Sequence, residues 1–179
     1  MTEKLIFAQT IEGLLRSLGG KVTPQLTEGL RLRGLNLSAA LLPAYPLSVW
    51  VEVLSFVATQ QHPGMAVEEA VAAVGREFMD GYAQTLVGRA MVPMMRLIGP
   101  RRTLERVTRQ FRTGNNFSET RLNQLSPAEF TLWVNEVHLA GWYVGILSRG
   151  LELAGGREVK VELLSREAGA GMFRVRWTL

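Results

Sequence analysis

Residues 99–122 read GPRRTLERVTRQFRTGNNFSETRL, and the spacing of apolar side chains changes across them. Before this stretch apolar residues recur every three to four positions. After it they alternate, the pattern of half-buried strands. The stretch itself opens as a helix after Gly99-Pro100, with Leu104, Val107 and Phe111 as an apolar stripe. Arg102, Arg106 and Arg109 lie opposite, spaced i, i+4, i+7. Thr113-Gly114-Asn115-Asn116 stops it. The stripe is expected to pack against a sheet, and the arginine face to point away from it.

Toward the N-terminus the helical period persists. Ile6 to Leu18 carries Phe7, Ile11, Leu14, Leu15 and Leu18, and Gly19-Gly20 ends it. Thr23-Pro24 caps a short second helix that runs to about Gly34. Asn36 to Tyr45 reads as a loop. Pro46 to Gln60 is a third helix, broken by His62-Pro63-Gly64. Ala66 to Tyr82 is a fourth, with Glu68 and Glu69 in the turn where the helix dipole favours acids. Thr85 to Ile98 continues as helix, with a kink or break expected at Pro93.

Toward the C-terminus, Phe117 to Gln124 and Ala128 to Val137 read as two strands joined at Ser126-Pro127. Gly141 to Leu153 is a helix closed by Gly155-Gly156. Val159, Val161 and Leu163, then Phe173, Val175 and Trp177, mark two more strands across an Ala168-Gly169-Ala170-Gly171 turn. The order hairpin, helix, hairpin gives an α+β fold: an N-terminal helical bundle packed on a four-stranded antiparallel sheet. One domain is expected over residues 1–179, with a mainly helical half, 1–113, and a hairpin–helix–hairpin half, 114–179.

Composition narrows the chemistry. There is no cysteine among the 179 residues, which excludes disulfides, thiolate metal sites and thiol nucleophiles. Only His62 and His138 offer imidazole, too far apart in sequence for a metal-binding pair on one helix. No apolar run has the ~20 residues of a membrane span, and MTEKLIFAQTIEGLL does not read as a signal peptide, so a cytoplasmic protein is expected. Nucleotide-binding glycine loops and a nucleophile elbow are missing. The formal charge is +4, and all of the 20 cations except Lys4, Lys21 and Lys160 are arginine, the residue suited to bidentate anion contacts.

The candidate anion-binding surface is therefore Arg101, Arg102, Arg106, Arg109, Arg112 and Arg121, with Asn115 and Asn116 in the adjoining turn. A merely solvated face is the commoner role of such a run. It lacks interleaved aromatics and stands in no nucleic-acid-binding motif, so nucleic acid is not the expected partner. Glu136 and His138 form the one plausible acid–base pair, although a lone histidine between Val137 and Leu139 is more often a packed residue. Met91, Met94 and Met95 near Phe78 and Tyr82 are either core filler or the lining of a soft pocket. Trp133, Trp142 and Trp177 are expected in the core or an interface.

The closing segment VGILSRGLELAGGREVKVELLSREAGAGMFRVRWTL resembles the superfamily of haem nitric-oxide/oxygen-binding (H-NOX) domains, vinyl-reductase-type domains and TRAPP vesicle-tethering subunits. Over nearly its whole length the chain is similar to a family of unknown function expanded in myxobacteria. Leu42-Pro43-Ala44-Tyr45-Pro46, Gly99-Pro100-Arg101-Arg102, Phe111-Arg112-Thr113-Gly114-Asn115-Asn116 and Trp133-Val134-Asn135-Glu136 carry that similarity. The resemblance implies an H-NOX/TRAPP-like scaffold that binds small hydrophobic or cyclic ligands, or dimerises. An H-NOX domain needs a proximal histidine before its sheet, and Gly99 to Phe111 has none. It also needs a Tyr-x-Ser-x-Arg run, and Val137 to Gly141 offers no equivalent. The expectation is a non-enzymatic ligand-binding or sensory module without haem or another cofactor. Its partner would be a protein or a second copy in a homodimer, and its ligand small and either anionic or hydrophobic. The alternative is an enzyme or cofactor protein with a pocket between the helices and the sheet.

Overall fold

Two short strands that the periodicity did not resolve frame the N-terminal half of the computed structural model, which describes residues 3–178. Strand β1 (Leu5–Phe7) runs straight into α1 (Ala8–Leu18). It pairs antiparallel with β2 (Ala44–Pro46), Ile6 opposite Tyr45, so the end of the expected loop is a strand. Three residues are too few to show an alternation.

The next helices follow their caps. Helix α2 (Pro24–Leu32) starts where Thr23 Oγ1 accepts the Leu26 N–H at 3.1 Å. Helix α3 (Leu47–Gln61) and helix α4 (Val67–Tyr82) keep close to their sequence bounds. Helix α5 (Leu86–Glu105) corrects two expectations. Pro93 lies within it without ending it; the break comes only at Gly99, where the sequence placed the start of the next helix, with φ 80° and ψ 171°, a conformation open essentially to glycine alone. The stretch read as one helix from Gly99 is also interrupted at Arg106, after which α6 (Val107–Gly114) begins.

The C-terminal half is the expected hairpin–helix–hairpin. Strands β3 (Thr120–Ser126) and β4 (Glu129–Val134) precede helix α7 (Ala140–Leu153); β5 (Arg157–Glu167) and β6 (Ala170–Thr178) follow it. The sheet order is β3-β4-β6-β5 with every pair antiparallel, so the last strand lies between β4 and β5. Phe130, Leu132 and Val134 of β4 and Phe173, Val175 and Trp177 of β6 are buried on one face, and Trp177 stacks on Phe130 at 5.5 Å.

Helix α7 lies between this sheet and α4. Tyr143 reaches Phe173 on the sheet side, ring centres 5.7 Å apart. On the other side its glycines let two backbones meet: a Cβ on Gly145 would stand 2.2 Å from the Ala72 carbonyl oxygen, and one on Gly141 2.0 Å from that of Glu68. The Glu68 carboxylate accepts the Gly141 N–H at 2.6 Å, which caps α7 with a charge from α4. A single buried cluster joins Leu14, Val53 and Val74 of the helical half to Leu132, Leu151 and Phe173 of the other. Among the described residues no helix is long and apolar enough to cross a membrane.

Candidate functional site

The helical half does not close on α7 everywhere. Where α4 and α7 touch at the backbone, no room is left, but α5 and α6 cross the same helices at a greater distance and leave a cavity of about 130 Å³. Phe78, Met79 and Tyr82 of α4 form one wall, and Trp142, Ile146 and Leu151 of α7 another. Met91, Met95 and Leu104 of α5, with Val107 and Phe111 of α6, form the third. The lining is overwhelmingly apolar. No residue of the four-stranded sheet contributes to it, so the pocket lies between helices and not, as the alternative expectation had it, between helices and sheet.

The stripe Leu104, Val107 and Phe111 lines this cavity, and the Phe111 ring meets Tyr143 of α7 at 5.6 Å. The sequence had treated it as a sheet-facing stripe because periodicity reports which face is buried and not what buries it. Half-buried Trp142 packs edge-on to Phe78 at 4.8 Å and to Trp50 at 5.1 Å. Met91 and Met95 line the pocket, the second of the two readings open to them. The Tyr82 hydroxyl donates to Met91 Sδ at 3.5 Å. Burial pushes the Tyr82 pKa up, against a hydrogen bond with Thr113 that lowers it, so the phenol stays protonated.

A second cleft, about 280 Å³, lies between α5 and α6 and shares Met91, Met95, Gln110 and Thr113 with the first. Its other walls are Met94, Ile98, Arg106 and Arg109. The two cavities thus adjoin along the same side chains, and only the cleft between α5 and α6, termed the outer cleft, has arginines at its border.

The eight residues of the expected anion surface divide into two groups. Arg101 donates to Glu105 at 3.0 Å and to Gln124 at 3.1 Å. Arg112 Nε donates to the Ser118 carbonyl at 2.9 Å, and the Arg121 guanidinium lies over the Trp133 ring, 4.6 Å from its centre. Asn115 Oδ1 accepts the N–H groups of Phe117 and Ser118, and Asn116 bonds the backbone of Leu5 and Glu3. The Asn115-Asn116 turn is therefore a clasp that ties the end of α6 to β1. Arg102, Arg106 and Arg109 are exposed and form no ion pair or side-chain hydrogen bond among the described residues.

Glu136 and His138 are paired at 2.9 Å, but away from the cavity, beside a cleft of only about 40 Å³. Lys4 Nζ holds the same carboxylate at 2.5 Å. Burial alone would raise the Glu136 pKa; hydrogen bonds and charge from Lys4 and His138 more than offset it and leave the carboxyl below its ordinary value. The Tyr143 hydroxyl donates to the Glu136 carbonyl at 2.8 Å, and burial drives its pKa up. Among the described residues no three histidine, aspartate or glutamate side chains converge as a metal site.

Comparison with known proteins agrees with this architecture. The model of the family described as "Protein of unknown function (DUF2378)" matches residues 4–178, and the chain belongs to that family. No curated protein matches it. Among solved structures, an H-NOX protein mutant from S. oneidensis in the Fe(II) ligation state is similar with a TM-score of 0.72 and 13% identity, covering 97% of each chain. The Fe(II) unliganded H-NOX protein from K. algicida is similar with a TM-score of 0.65 and 10% identity, over 96% of this chain and 95% of that one. At such identities the likeness is one of fold, and the fold is that of H-NOX domains.

Proposed function

We propose that this member of the DUF2378 family is a ligand-binding sensory or regulatory module, acting as one unit over residues 1–179, whose ligand occupies the chamber between α5–α6 and α4–α7. The observation that carries the reading is the chamber itself: a half-open, apolar, aromatic-walled space of about 130 Å³ beside a helix seam packed to backbone contact. The lining supports binding over catalysis. Tyr82 is its single titratable group, and a general acid or base needs one whose pKa lies near working pH. The Glu136–His138 pair stands outside it.

The H-NOX relatives are described in Fe(II) states, so haem is the group the fold brings to mind. The donor set here does not fit it. No imidazole lines the chamber, Tyr82 is held as a neutral phenol, and Met91 is engaged by the Tyr82 hydroxyl. These features support a ligand other than histidine-ligated haem. The outward face of α5 supports a protein partner as the next element: Leu86 and Leu97 are 88% and 87% exposed, with Arg89, Arg96 and Arg102 on the same helix. Like charge disfavours pairing of this face with its own copy and favours an acidic partner surface. A cytoplasmic setting goes with this reading.

Native mass spectrometry of freshly purified protein, with a visible absorbance scan, tests the proposal. A co-purified or added apolar molecule of one-to-one stoichiometry is the expected result. A thermal midpoint that rises with its concentration accompanies it. A Soret band overturns the exclusion of haem. Failure of every apolar probe to bind overturns the chamber as a site. Charge reversal at Arg102 with Arg106 is expected to abolish partner or ligand binding at an unchanged midpoint; full retained binding removes the arginine face from the account.

A further inference from the structure

The outer cleft is built differently from the inner chamber, and the difference names a ligand class. The two meet at Met91 and Met95, with the neutral side chains of Gln110 and Thr113 beside them. Methionine is unbranched and polarisable, so such a wall adapts to a flexible chain better than to a rigid ring. Only the outer cleft is bordered by charge, and the charge is of one sign: Arg106 at the break between α5 and α6, and Arg109 one turn on. Neither guanidinium has a carboxylate within salt-bridge distance among the described residues, although neighbouring Arg101 and Arg112 on the same segment both do. Two unpaired forks beside an apolar cleft fit an acceptor that brings its own negative charge and its own apolar tail.

We infer that the site takes an anionic amphiphile of the fatty-acid class. The carboxylate is held by Arg106 and Arg109, and the alkyl chain lies along Met91 and Met95 toward the chamber ending at Trp142. This rests on the chamber reading above and deepens it. The head-group contacts are charge-assisted and can be bidentate, the strong form of hydrogen bond available to arginine. The chain contributes burial that needs no direction. An alcohol of equal length keeps the second contribution and lacks the first.

The experiment is calorimetric titration of the full chain with decanoate and with decan-1-ol, repeated on the double variant Arg106→Gln/Arg109→Gln. Both substitutions fall on exposed side chains without partners, so the fold is retained. Wild type is expected to bind decanoate about tenfold more tightly than the alcohol, as a charged hydrogen bond implies. The double variant is expected to lose that preference and keep the affinity for decanol. The decanoate affinity, and not that of decanol, is expected to fall with added salt. Equal binding of acid and alcohol by wild type overturns the head-group assignment and leaves the chamber standing. Parallel loss of both ligands in the double variant also overturns it, because the arginines then act on the fold. No binding of either ligand overturns the inference together with the chamber on which it rests.

Discussion

Helix α7 meets α4 on one flank and α5 on another, and the two contacts are opposites. Against α4, Gly141, Gly145 and Gly75 bring the backbones within van der Waals distance, and the Glu68 carboxylate reaches across to cap α7. Against α5 there are methionine tips, a chamber, and beyond it a helix whose outer residues Leu86, Met94 and Leu97 face solvent. One flank is specified by what cannot fit and the other by what is left unfilled. A bundle with a fixed seam on one side and a loose wall on the other can admit a ligand without opening its core.

The sharpest way to break this contrast is to add a single methyl group to the seam. Gly145→Ala places a Cβ 2.2 Å from the Ala72 carbonyl oxygen, a backbone atom that cannot rotate away. The helices must separate, and overpacking of this kind is expected to cost about 3 kcal/mol. A fall in thermal midpoint of about 10 °C follows for a chain of this size. A midpoint within 2 °C of wild type, which marks a flexible seam, removes the distinction between the two flanks.

The loose wall has its own fixed point. Gly99 interrupts α5 at φ 80° and ψ 171°, with nothing within 4 Å of its missing side chain. Gly99→Ala therefore introduces no clash, only backbone strain of about 2 kcal/mol. The lost stability is expected to appear locally, as faster amide exchange in residues 86–98 with the α4–α7 amides still protected. Uniform acceleration across both flanks shows instead that α5 and the seam unfold together.

These features differ in how far they were legible in the sequence. Strand pairs β3–β4 and β5–β6 were, because Phe130, Leu132 and Val134, then Phe173, Val175 and Trp177, alternate over enough residues to fix a face. The ends of α3, α4 and α7 were, because proline, glycine and polar breakers mark them. Strands β1 and β2 were not: a three-residue pairing depends on a partner some forty positions away. The sheet order was not, since local patterns do not record which hairpin edge meets which. The candidate site was half legible. Its arginines and methionines were found as residue types, but a chamber is a distance between helices, and no single residue encodes it. Two signals pointed to it. Gly141 and Gly145, four apart on α7, announce a close helix crossing on one face. Met91 and Met95, four apart on α5, announce adaptable side chains on another. The division of the arginines into paired and free members needed Gln124, Ser118 and Trp133, all brought in from β3, β4 and the turn before them.

The same methyl addition made five residues along α7 is expected to act in the opposite direction. A Cβ on Gly150 meets only the Met79 and Met95 methyl groups, at 3.5 and 3.9 Å, ordinary contact distances. Gly150→Ala relieves the entropy cost of glycine inside a helix and is expected to stabilise by about 0.5–1 kcal/mol. The midpoint rises by about 2 °C. Its opposite sign from Gly145→Ala, in one helix and with one added carbon, makes the pair a direct measure of how far each flank is filled. Loss of stability at Gly150 shows that the chamber is smaller than about 130 Å³ and that the wall is not loose.

The smallest effect belongs to the outer face of α5. Leu97 contributes almost nothing to burial, so Leu97→Gln is expected to change stability by less than about 0.5 kcal/mol, the usual range for a surface position. The measurement is the thermal midpoint at two protein concentrations a hundredfold apart. A midpoint that is unchanged at both leaves Leu97 free for a partner. A loss that appears only at the higher concentration shows instead that copies of the chain cover this face, since a contact between molecules stabilises by mass action. Arg89 and Arg96 on the same helix argue for the first outcome. In a symmetric pair they face their own copies, and the repulsion offsets what burial of Leu86 and Leu97 contributes.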